Sequence, residues 1–174
     1  MKTVIKVREL TEGCLVEVNS KGDWIDLRAA TDIHLEAAQA GVQYQLNNSK
    51  FRDVNIPVKL VPLGIAVQLP KGYEAIIAPR SSSPFRFNSF TPHSFGVIDN
   101  SYCGNNDEWK LLVSPLNTID INKGDRVCQF RIQLSQKATT WQKIKWLFSN
   151  GIKVVKVNKL SNKNRGGFGS TGVN

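Results

Sequence analysis

The last eleven residues combine groups that suit a nucleotide. Residues 164–174 contain four glycines, one arginine, one aromatic ring and two hydroxyl side chains. Glycine lets a backbone approach a ligand closely, and the planar arginine fork matches phosphate oxygens. A P-loop is not indicated, because no Gly-Lys-Ser/Thr sequence follows the glycines. The segment is predicted to close over a nucleotide rather than to be a linker or an expression remnant, and its candidate binding residues are Arg165, Phe168, Gly169, Ser170 and Thr171.

A second group of phosphate-binding types follows an apolar run. Arg80, Ser81 and Ser82 come directly after Tyr73–Pro79. A guanidinium, two hydroxyls and backbone amides at the end of a strand can hold a phosphate chain. The same serines are also typical of the start of a capped helix. The residues alone leave both interpretations open.

A candidate base lies between two strand-like pieces. In Gly96-Val97-Ile98-Asp99 and the following Tyr102, a hairpin would offer backbone amides and carbonyls to the edge of a nucleobase. Asp99 would then lie at the mouth of the pocket and could take a proton from water. An isolated aspartate more commonly makes an Asx-turn, so that alternative stays open.

Two polar side chains interrupt apolar strands. Gln129 alternates with apolar neighbours after the turn Lys123-Gly124-Asp125, and it is predicted to face a polar site. Asp26 is surrounded by Trp24, Ile25 and Leu27. A carboxylate in such a context requires a partner.

The elements that must position these residues are mostly short strands. Many alternating runs with regular turns predict an all-β barrel or sandwich. Two regions depart from this pattern. Residues 37–57 are rich in Gln and Asn and resemble an inserted hairpin or loop, and residues 139–150 have helical spacing with Gly151 as a stop signal. The predicted strands are 3–7, 14–18, 58–67, 73–78, 111–113, 127–134 and 152–157.

The predicted helix carries an apolar stripe made of Trp141, Ile144, Leu147 and Phe148. Such a stripe either covers the core or binds a partner, and core cover is the more common role. We expect one domain, with a body of residues 1–163 and a tail of residues 164–174.

The composition narrows the functional class. The net charge of +9 suits an anionic partner, such as a phosphorylated small molecule. The sequence contains no basic run interleaved with aromatic residues, which argues against binding of nucleic acid. Three widely spaced cysteines and two histidines lack metal-ligand spacing, which argues against structural zinc and for reduced thiols. No stretch has transmembrane length, so a soluble, cytoplasmic protein without membrane association is expected.

These segments, taken in order, resemble the homotrimeric all-β dUTPases, the dUTP pyrophosphatases. All five ordered family motifs are present, and the match runs from about residue 23 onwards. The spacing is closest to forms from Gram-positive bacteria and their phages. The matching segments are Asp26-Leu27, Pro79-Arg80-Ser81-Ser82, Gly96-Val97-Ile98-Asp99 with Tyr102 and Gly104, Gly124-Asp125-Arg126 with Gln129, and Arg165 with Gly167-Phe168-Gly169-Ser170-Thr171-Gly172.

The resemblance implies a distorted jelly-roll barrel and a homotrimer whose active sites are shared between subunits. It implies Mg²⁺-assisted hydrolysis of dUTP to dUMP and pyrophosphate, which keeps uracil out of DNA and supplies dUMP for dTMP synthesis. Asp99 would activate the attacking water, with Gln129 as the second catalytic residue. Magnesium would be held by the triphosphate, with no direct protein ligand and with Asp26 acting through water.

The resemblance also assigns the binding residues. Gly96, Val97 and Ile98 would bind uracil through their backbone, and Tyr102 would pack beneath the deoxyribose and exclude a 2′-hydroxyl. Arg80, Ser81, Ser82 and Gln129 would hold the phosphates. The tail would close from another subunit, with Phe168 over uracil and with Arg165, Ser170 and Thr171 on the β- and γ-phosphates, next to Gly169.

Two alternatives remain. The sister dCTP deaminases share the barrel but use a glutamate, whereas Asp99, Tyr102 and the glycine-rich tail favour the hydrolase. Proteins of phage type can also bind a transcriptional repressor, and the added segments 37–57 and 139–150 suggest such a partner. That role could coexist with catalysis.

Overall fold

The computed structural model describes residues 2–19, 22–44, 50–160 and 163–167. Strands dominate, as the turn-punctuated sequence predicts, and two short helices interrupt them. The strands are β1 Thr3–Glu9, β2 Ile25–Arg28, β3 Ile33–Leu35, β4 Gln39–Tyr44, β5 Lys50–Asn55, β6 Lys59–Gln68, β7 Tyr73–Pro79, β8 Ser89–Phe90, β9 Gly96–Ile98, β10 Glu108–Pro115, β11 Ile119–Ile121, β12 Arg126–Leu134 and β13 Ile152–Lys156; the helices are α1 Ser83–Phe87 and α2 Thr140–Leu147.

Two larger sheets form the body of the molecule. One has the order β13-β1-β6-β10-β8, and the other has the order β2-β12-β7-β9. Their facing sides supply one apolar core, in which the fully buried Trp109 of β10 meets Phe130 of β12 edge-on at 5.1 Å between ring centroids. Alternate residues of β7 and β12 enter this core because successive strand side chains point to opposite faces. The all-β prediction is confirmed, with a jelly-roll-like arrangement of open sheets.

One predicted strand is wrong. Residues 14–18 keep the expected alternation, since Cys14 and Val16 are buried and Glu17 is exposed. However, the segment is not paired in a sheet. The Leu15 amide donates to the Glu9 carboxylate, so its hydrogen bond goes to a side chain and not to a neighbouring strand.

Residues 37–57 were predicted to form an inserted hairpin or loop, and the structure shows a hairpin. Strands β4 and β5 pair antiparallel from Gln39 opposite Asn55 to Tyr44 opposite Lys50. The turn between them lies outside the described residues.

The predicted helix exists but is shorter than expected. Thr139 caps α2 in a capping box with Gln142, and Gly151 has a φ of 83°, which suits glycine. The prediction that its stripe covers the core is wrong, because Trp141, Leu147 and Phe148 are exposed. The helix packs instead through Trp146, whose ring lies 5.4 Å from that of Tyr73.

Strand β7 positions the candidate site. It pairs with β12 on one side, where Ala78 lies opposite Gln129, and with β9 on the other, where Ala75 lies opposite Ile98. Because the pairing with β9 is antiparallel, the residue that follows β9 and the residue that follows β7 lie at opposite ends of β7. Within the described residues, no helix is long and apolar enough to span a membrane.

Candidate active site

A pocket of about 290 Å³ lies beside β9, and we call it the hairpin pocket. Strand β9 is the last strand of its sheet, so its outer backbone groups face this pocket without a neighbouring strand among the described ones. Its predicted members Gly96, Val97, Ile98, Asp99 and Tyr102 come together as expected. The lining residues are Ile77, His93, Phe95, Gly96, Val97, Ile98, Asp99, Tyr102, Glu108, Trp109, Lys110, Arg165, Gly166 and Gly167.

Asp99 lies at the mouth of the pocket with 61% of its side chain exposed. Its carboxylate does not make an Asx-turn. It accepts a hydrogen bond from the Arg165 guanidinium of the same chain at 3.0 Å. The resemblance implied a tail that closes from another subunit, whereas Arg165, Gly166 and Gly167 line the pocket of their own chain. A guanidinium can exchange a carboxylate for a phosphate, since both anions accept the same pair of parallel hydrogen bonds from it. The two residues that the sequence assigns to water activation and phosphate binding are therefore neighbours.

Tyr102 forms the floor next to Asp99. Its hydroxyl donates to the Glu108 carbonyl at 2.8 Å, which fixes the half-buried ring. Burial, with a smaller contribution from Asp107 and Glu108, raises the pKa of this phenol, so it remains a neutral donor at physiological pH. A Cβ added at Gly167 would lie 3.1 Å from the ring, so the C-terminal segment crosses the tyrosine at a point where glycine suits the close approach.

The turn after Tyr102 contains a residue that sequence reasoning missed. Asp107 is only 1% exposed, and it is the only fully buried carboxylate or cationic side chain within the described parts of the chain. It accepts backbone hydrogen bonds from Gly104, Arg165 and Gly166. The sequence shows Asp107 only as the last residue of the polar turn Gly104-Asn105-Asn106-Asp107, and no local pattern indicates that it is buried.

A second group, the arginine cluster, consists of Asp26, Arg80, Arg126 and Gln129. Asp26 finds the partner that its apolar surroundings required, because Arg80 Nε lies 2.8 Å and Arg126 Nη1 lies 3.2 Å from its two oxygens. Gln129 lies opposite Asp26 in the β12–β2 pairing and donates to the Pro79 carbonyl at 3.2 Å. Two guanidiniums sharing one carboxylate leave an excess of positive charge, which suits a phosphate chain.

The serines after Arg80 lie at the start of helix α1, and their role in phosphate binding stays a prediction. Ser82 is the residue before α1 but makes no side-chain cap, so its hydroxyl is available to a ligand. Ser81 is also exposed, whereas Ser83 is buried and bonded to the Val127 carbonyl at 3.2 Å.

The hairpin pocket and the arginine cluster do not meet within one chain. Asp99 follows β9 near the start of β7, whereas Arg80 follows the other end of β7 and points across β12 to Asp26. The separation along β7 is roughly 15–20 Å at the usual rise per residue of a strand. The tail residues Phe168, Gly169, Ser170 and Thr171 lie outside the described residues.

Comparisons with known proteins identify the family of the chain. The family model for dUTPase matches residues 44–172. The SPbeta prophage-derived deoxyuridine 5'-triphosphate nucleotidohydrolase YosS of Bacillus subtilis (strain 168) is 38% identical over 170 residues, covering 97% of this chain and 98% of that protein.

Solved structures agree on the fold. The dUTPase of Streptococcus mutans superposes with a TM-score of 0.61 at 20% identity, covering 77% of this chain and 98% of its own. A mutant dUTPase from phage phi11 of S. aureus, described with a structural Mg(II) ion, superposes with a TM-score of 0.57 at 18% identity. This match covers 78% of this chain and 93% of the phage protein. The Staphylococcus bacteriophage 80alpha dUTPase is described among phage dUTPases that control transfer of virulence genes. It superposes with a TM-score of 0.56 at 17% identity, covering 78% of this chain and 92% of its own.

The fold and the pocket thus define an all-β, jelly-roll-like protein with an aspartate and an arginine at the mouth of a strand-edge cavity. With a family match over most of its length and a full-length relative at 38% identity, the chain belongs to the dUTPase family.

Proposed function

We propose that this protein hydrolyses dUTP to dUMP and pyrophosphate. The observation that carries the proposal is the hairpin pocket, where the open edge of β9, Tyr102, Asp99 and Arg165 meet in one cavity. The full-length relative, a deoxyuridine 5'-triphosphate nucleotidohydrolase by name, supports the same reaction. The products would include the precursor of dTMP, and removal of dUTP would keep uracil out of DNA.

The edge of β9 is the recognition element for the base. Uracil presents one donor between two acceptors, which matches alternating carbonyl and amide groups of an unpaired strand edge. Tyr102 is fixed by its bond to Glu108, so its ring forms a rigid wall for the sugar. A 2′-hydroxyl would need space that this wall occupies.

Asp99 is the proposed general base. It takes a proton from a water molecule, whose oxygen forms a bond to the α-phosphorus while the bond from that phosphorus to the bridging oxygen breaks. Pyrophosphate leaves with the bonding electrons. Arg165 donates to Asp99 and would transfer to the phosphates of the substrate, because they carry more charge than one carboxylate.

Mg²⁺ would be coordinated by the triphosphate of the substrate, with no direct ligand from the protein. Asp26 is partly exposed and already bonded to two guanidiniums, so it would contact a triphosphate-bound ion only through water. When bound, Mg²⁺ neutralises phosphate charge.

A complete site requires more than one copy of the chain. Arg80, Ser81, Ser82 and Gln129 would bind phosphates, yet they lie at the far end of β7 from Asp99. We therefore propose a homotrimer in which the arginine cluster of one subunit faces the hairpin pocket of another. The body, residues 1–163, forms the barrel, and residues 164–174 close the site, with Phe168 over the base and Gly169, Ser170 and Thr171 near the phosphates. Three buried free cysteines suit the reducing cytoplasm.

The experiment that tests this function is pyrophosphate release with a panel of dUTP, UTP, dTTP and dCTP in the presence of Mg²⁺. We expect dUTP to be the preferred substrate by a wide margin. Release of ammonia from dCTP would instead indicate a deaminase, and equal rates with dUTP and dTTP would contradict recognition by the β9 edge.

A second candidate function is binding of a regulatory protein, such as a transcriptional repressor, in addition to catalysis. It is favoured by the exposed apolar face of α2, where Trp141 and Leu147 are 63% and 79% exposed, and by the description of the phage 80alpha dUTPase. Capture of a repressor from host lysate by the wild-type protein, and its loss in Trp141→Ser, would support this role. Equal capture by both would contradict binding through α2.

A further inference from the structure

The C-terminal segment is fastened to the turn at 103–107 before it reaches the pocket. Leu160 is buried, and its amide donates to the Asn105 side chain at 2.7 Å. The Asn106 amide donates to the Asn164 side chain at 2.9 Å. Two asparagine side chains thus join the turn to the C-terminal segment: Asn105 belongs to the turn and Asn164 to the segment.

Asp107 is the centre of this attachment. Its Oδ1 accepts the amides of Arg165 and Gly166, and its Oδ2 accepts those of Gly104 and Arg165, at 2.7 to 3.0 Å. A buried carboxylate is tolerated only when such donors replace its water. Asp107 therefore ties the segment and the turn to each other through the same side chain.

This attachment sets the position of the Arg165 side chain. With its backbone amide fixed on Asp107, the guanidinium of Arg165 lies 3.0 Å from Asp99. Gly104 allows the approach, since a Cβ there would lie 2.4 Å from the Asn164 Cα. Gly104 has no positive φ, so it is the space and not the backbone conformation that demands glycine at this position.

We propose that Asp107 is a positioning residue for the reaction. It holds the backbone of Arg165 and Gly166 at the mouth of the hairpin pocket, and it thereby presents the Arg165 guanidinium first to Asp99 and then to the phosphates of the substrate. The inference rests on the proposed function, because the phosphates are those of dUTP. It assigns a role to a residue that does not itself touch the substrate.

The first test compares Asp107→Asn with wild type. Asparagine has the same shape, but an NH₂ group replaces one of the two oxygens that accept backbone amides. The hydrogen bonds to that oxygen are therefore lost. We expect kcat/KM for dUTP to fall by about ten- to hundredfold, the usual weight of hydrogen bonds to a charged group. Asp120→Asn, an exposed aspartate bonded to His34, is the matched control and should retain wild-type activity.

The second test separates positioning from simple support of the turn. Asp107→Asn is combined with deletion of residues 164–174, and the residual activity is measured at high enzyme concentration. A positioning residue has nothing to position in the truncated protein, so the substitution should have no further effect there. An equal loss in the full-length and truncated proteins would show that Asp107 only supports the turn, and this would overturn the proposal.

A third variant leaves the carboxylate intact. Gly104→Ala should displace Asn164 and give the same loss of activity, again only in the full-length protein. If Gly104→Ala has full activity, the segment does not lie where the proposal requires, and the proposal is wrong.

Amide hydrogen exchange in the substrate-free protein gives a readout that is independent of activity. The amides of Arg165 and Gly166 should exchange faster in Asp107→Asn than in wild type, and unchanged exchange would overturn the anchor. A wild-type protein inactive on dUTP would refute the proposed function, whereas faster exchange in the variant would still support the anchor.

Discussion

Asp99 and Arg165 form the smallest unit of the proposed mechanism. Their side chains are bonded to each other, and this bond must break before Asp99 can accept a proton and Arg165 can bind a phosphate. The Arg165 guanidinium lies 3.0 Å from the Asp99 carboxylate, which stays largely exposed beside it. Substrate phosphates would draw Arg165 away and leave Asp99 free to accept a proton. The pairing keeps both groups oriented within reach of the pocket before the nucleotide enters.

Asp99→Asn should therefore retain the fold and nucleotide binding but lose turnover. The amide can hydrogen-bond a water molecule but cannot take its proton, so kcat should fall by about 10²–10⁴-fold, the usual weight of a general base. Steady-state pyrophosphate release and binding of a non-hydrolysable dUTP analogue measure the two parts. More than half of the wild-type kcat in this variant would exclude Asp99 as the base.

Tyr102 tests sugar recognition at the same scale. Tyr102→Ala removes the wall that lies beneath the sugar, and the ratio of UTP to dUTP turnover should rise. Tyr102→Phe is the matched control, because it keeps the ring and loses only the bond to the Glu108 carbonyl. An unchanged UTP/dUTP ratio in the alanine variant, or the same change in both variants, would contradict the role of the ring.

At this scale the sequence predicted types of residue better than their contacts. Asp26 was expected to need a partner, and it has two. Asp107 was missed because its function comes from burial and from amides that lie about 60 positions away along the chain. Contacts between residues so distant in sequence depend on the folded topology and are invisible in local patterns.

At the scale of elements, the glycine-rich segment should be separable from the body. Residues 163–167 are exposed and bury little apolar surface, so deletion of residues 164–174 should leave the body folded. The loss of stability should not exceed the about 1–3 kcal/mol that Asp107 gains from the amides of Arg165 and Gly166. Turnover should fall by about a hundredfold or more, since misplaced or missing positioning groups have effects of that size. Full activity in the truncated protein would rule out closure by this segment.

The attachment of that segment should depend on pH. Burial alone would raise the pKa of Asp107, but the backbone hydrogen bonds from Arg165, Gly104, Gly166 and Cys103 outweigh it and lower this pKa. A lowered pKa in the folded state gives stability that is complete above the unfolded value of about 3.9 and is lost as the pH falls through the folded value.

Urea unfolding of wild type and Asp107→Asn should show this dependence. The difference in unfolding free energy should be constant between pH 6 and 8, at about 1–3 kcal/mol, and should shrink below pH ~4. Other acidic residues titrate equally in both proteins, so the difference isolates Asp107. A difference that grows on acidification would contradict the lowered pKa.

The elements themselves were predictable to different degrees. Strands with strict alternation, such as β7 and β12, were found because their pattern reflects one buried face. Residues 14–18 show the same pattern but are not a strand, since burial of alternate side chains does not require a paired backbone. Helix α2 was found, but its packing face was not, because Trp146 rather than the stripe meets the core.

At the scale of the whole molecule, the separation of the two groups along β7 predicts shared active sites. Subunits carrying Arg80→Ala are unfolded and refolded together with subunits carrying Asp99→Asn. Each parent should be nearly inactive, whereas random mixing in a trimer should restore about a quarter of the sites, those that combine an intact arginine cluster with an intact base. No such recovery would contradict sites built from two chains.

The control for this mixture is a double variant, Arg80→Ala with Asp99→Asn, mixed with Asp99→Asn. No chain in this mixture supplies the base, so activity should stay at the level of the parents. Recovery here would show that wild-type contamination or residual activity, and not sharing of sites, explains the first result.

The central claim is that water activated beside Asp99 attacks the α-phosphorus of dUTP. Hydrolysis in ¹⁸O-labelled water tests it most directly, with both products analysed by mass spectrometry. The account predicts one labelled oxygen in dUMP and none in pyrophosphate, with the labelled product nearly absent for Asp99→Asn. Label in pyrophosphate instead of dUMP, or hydrolysis of dUTP to products other than these two, would contradict it.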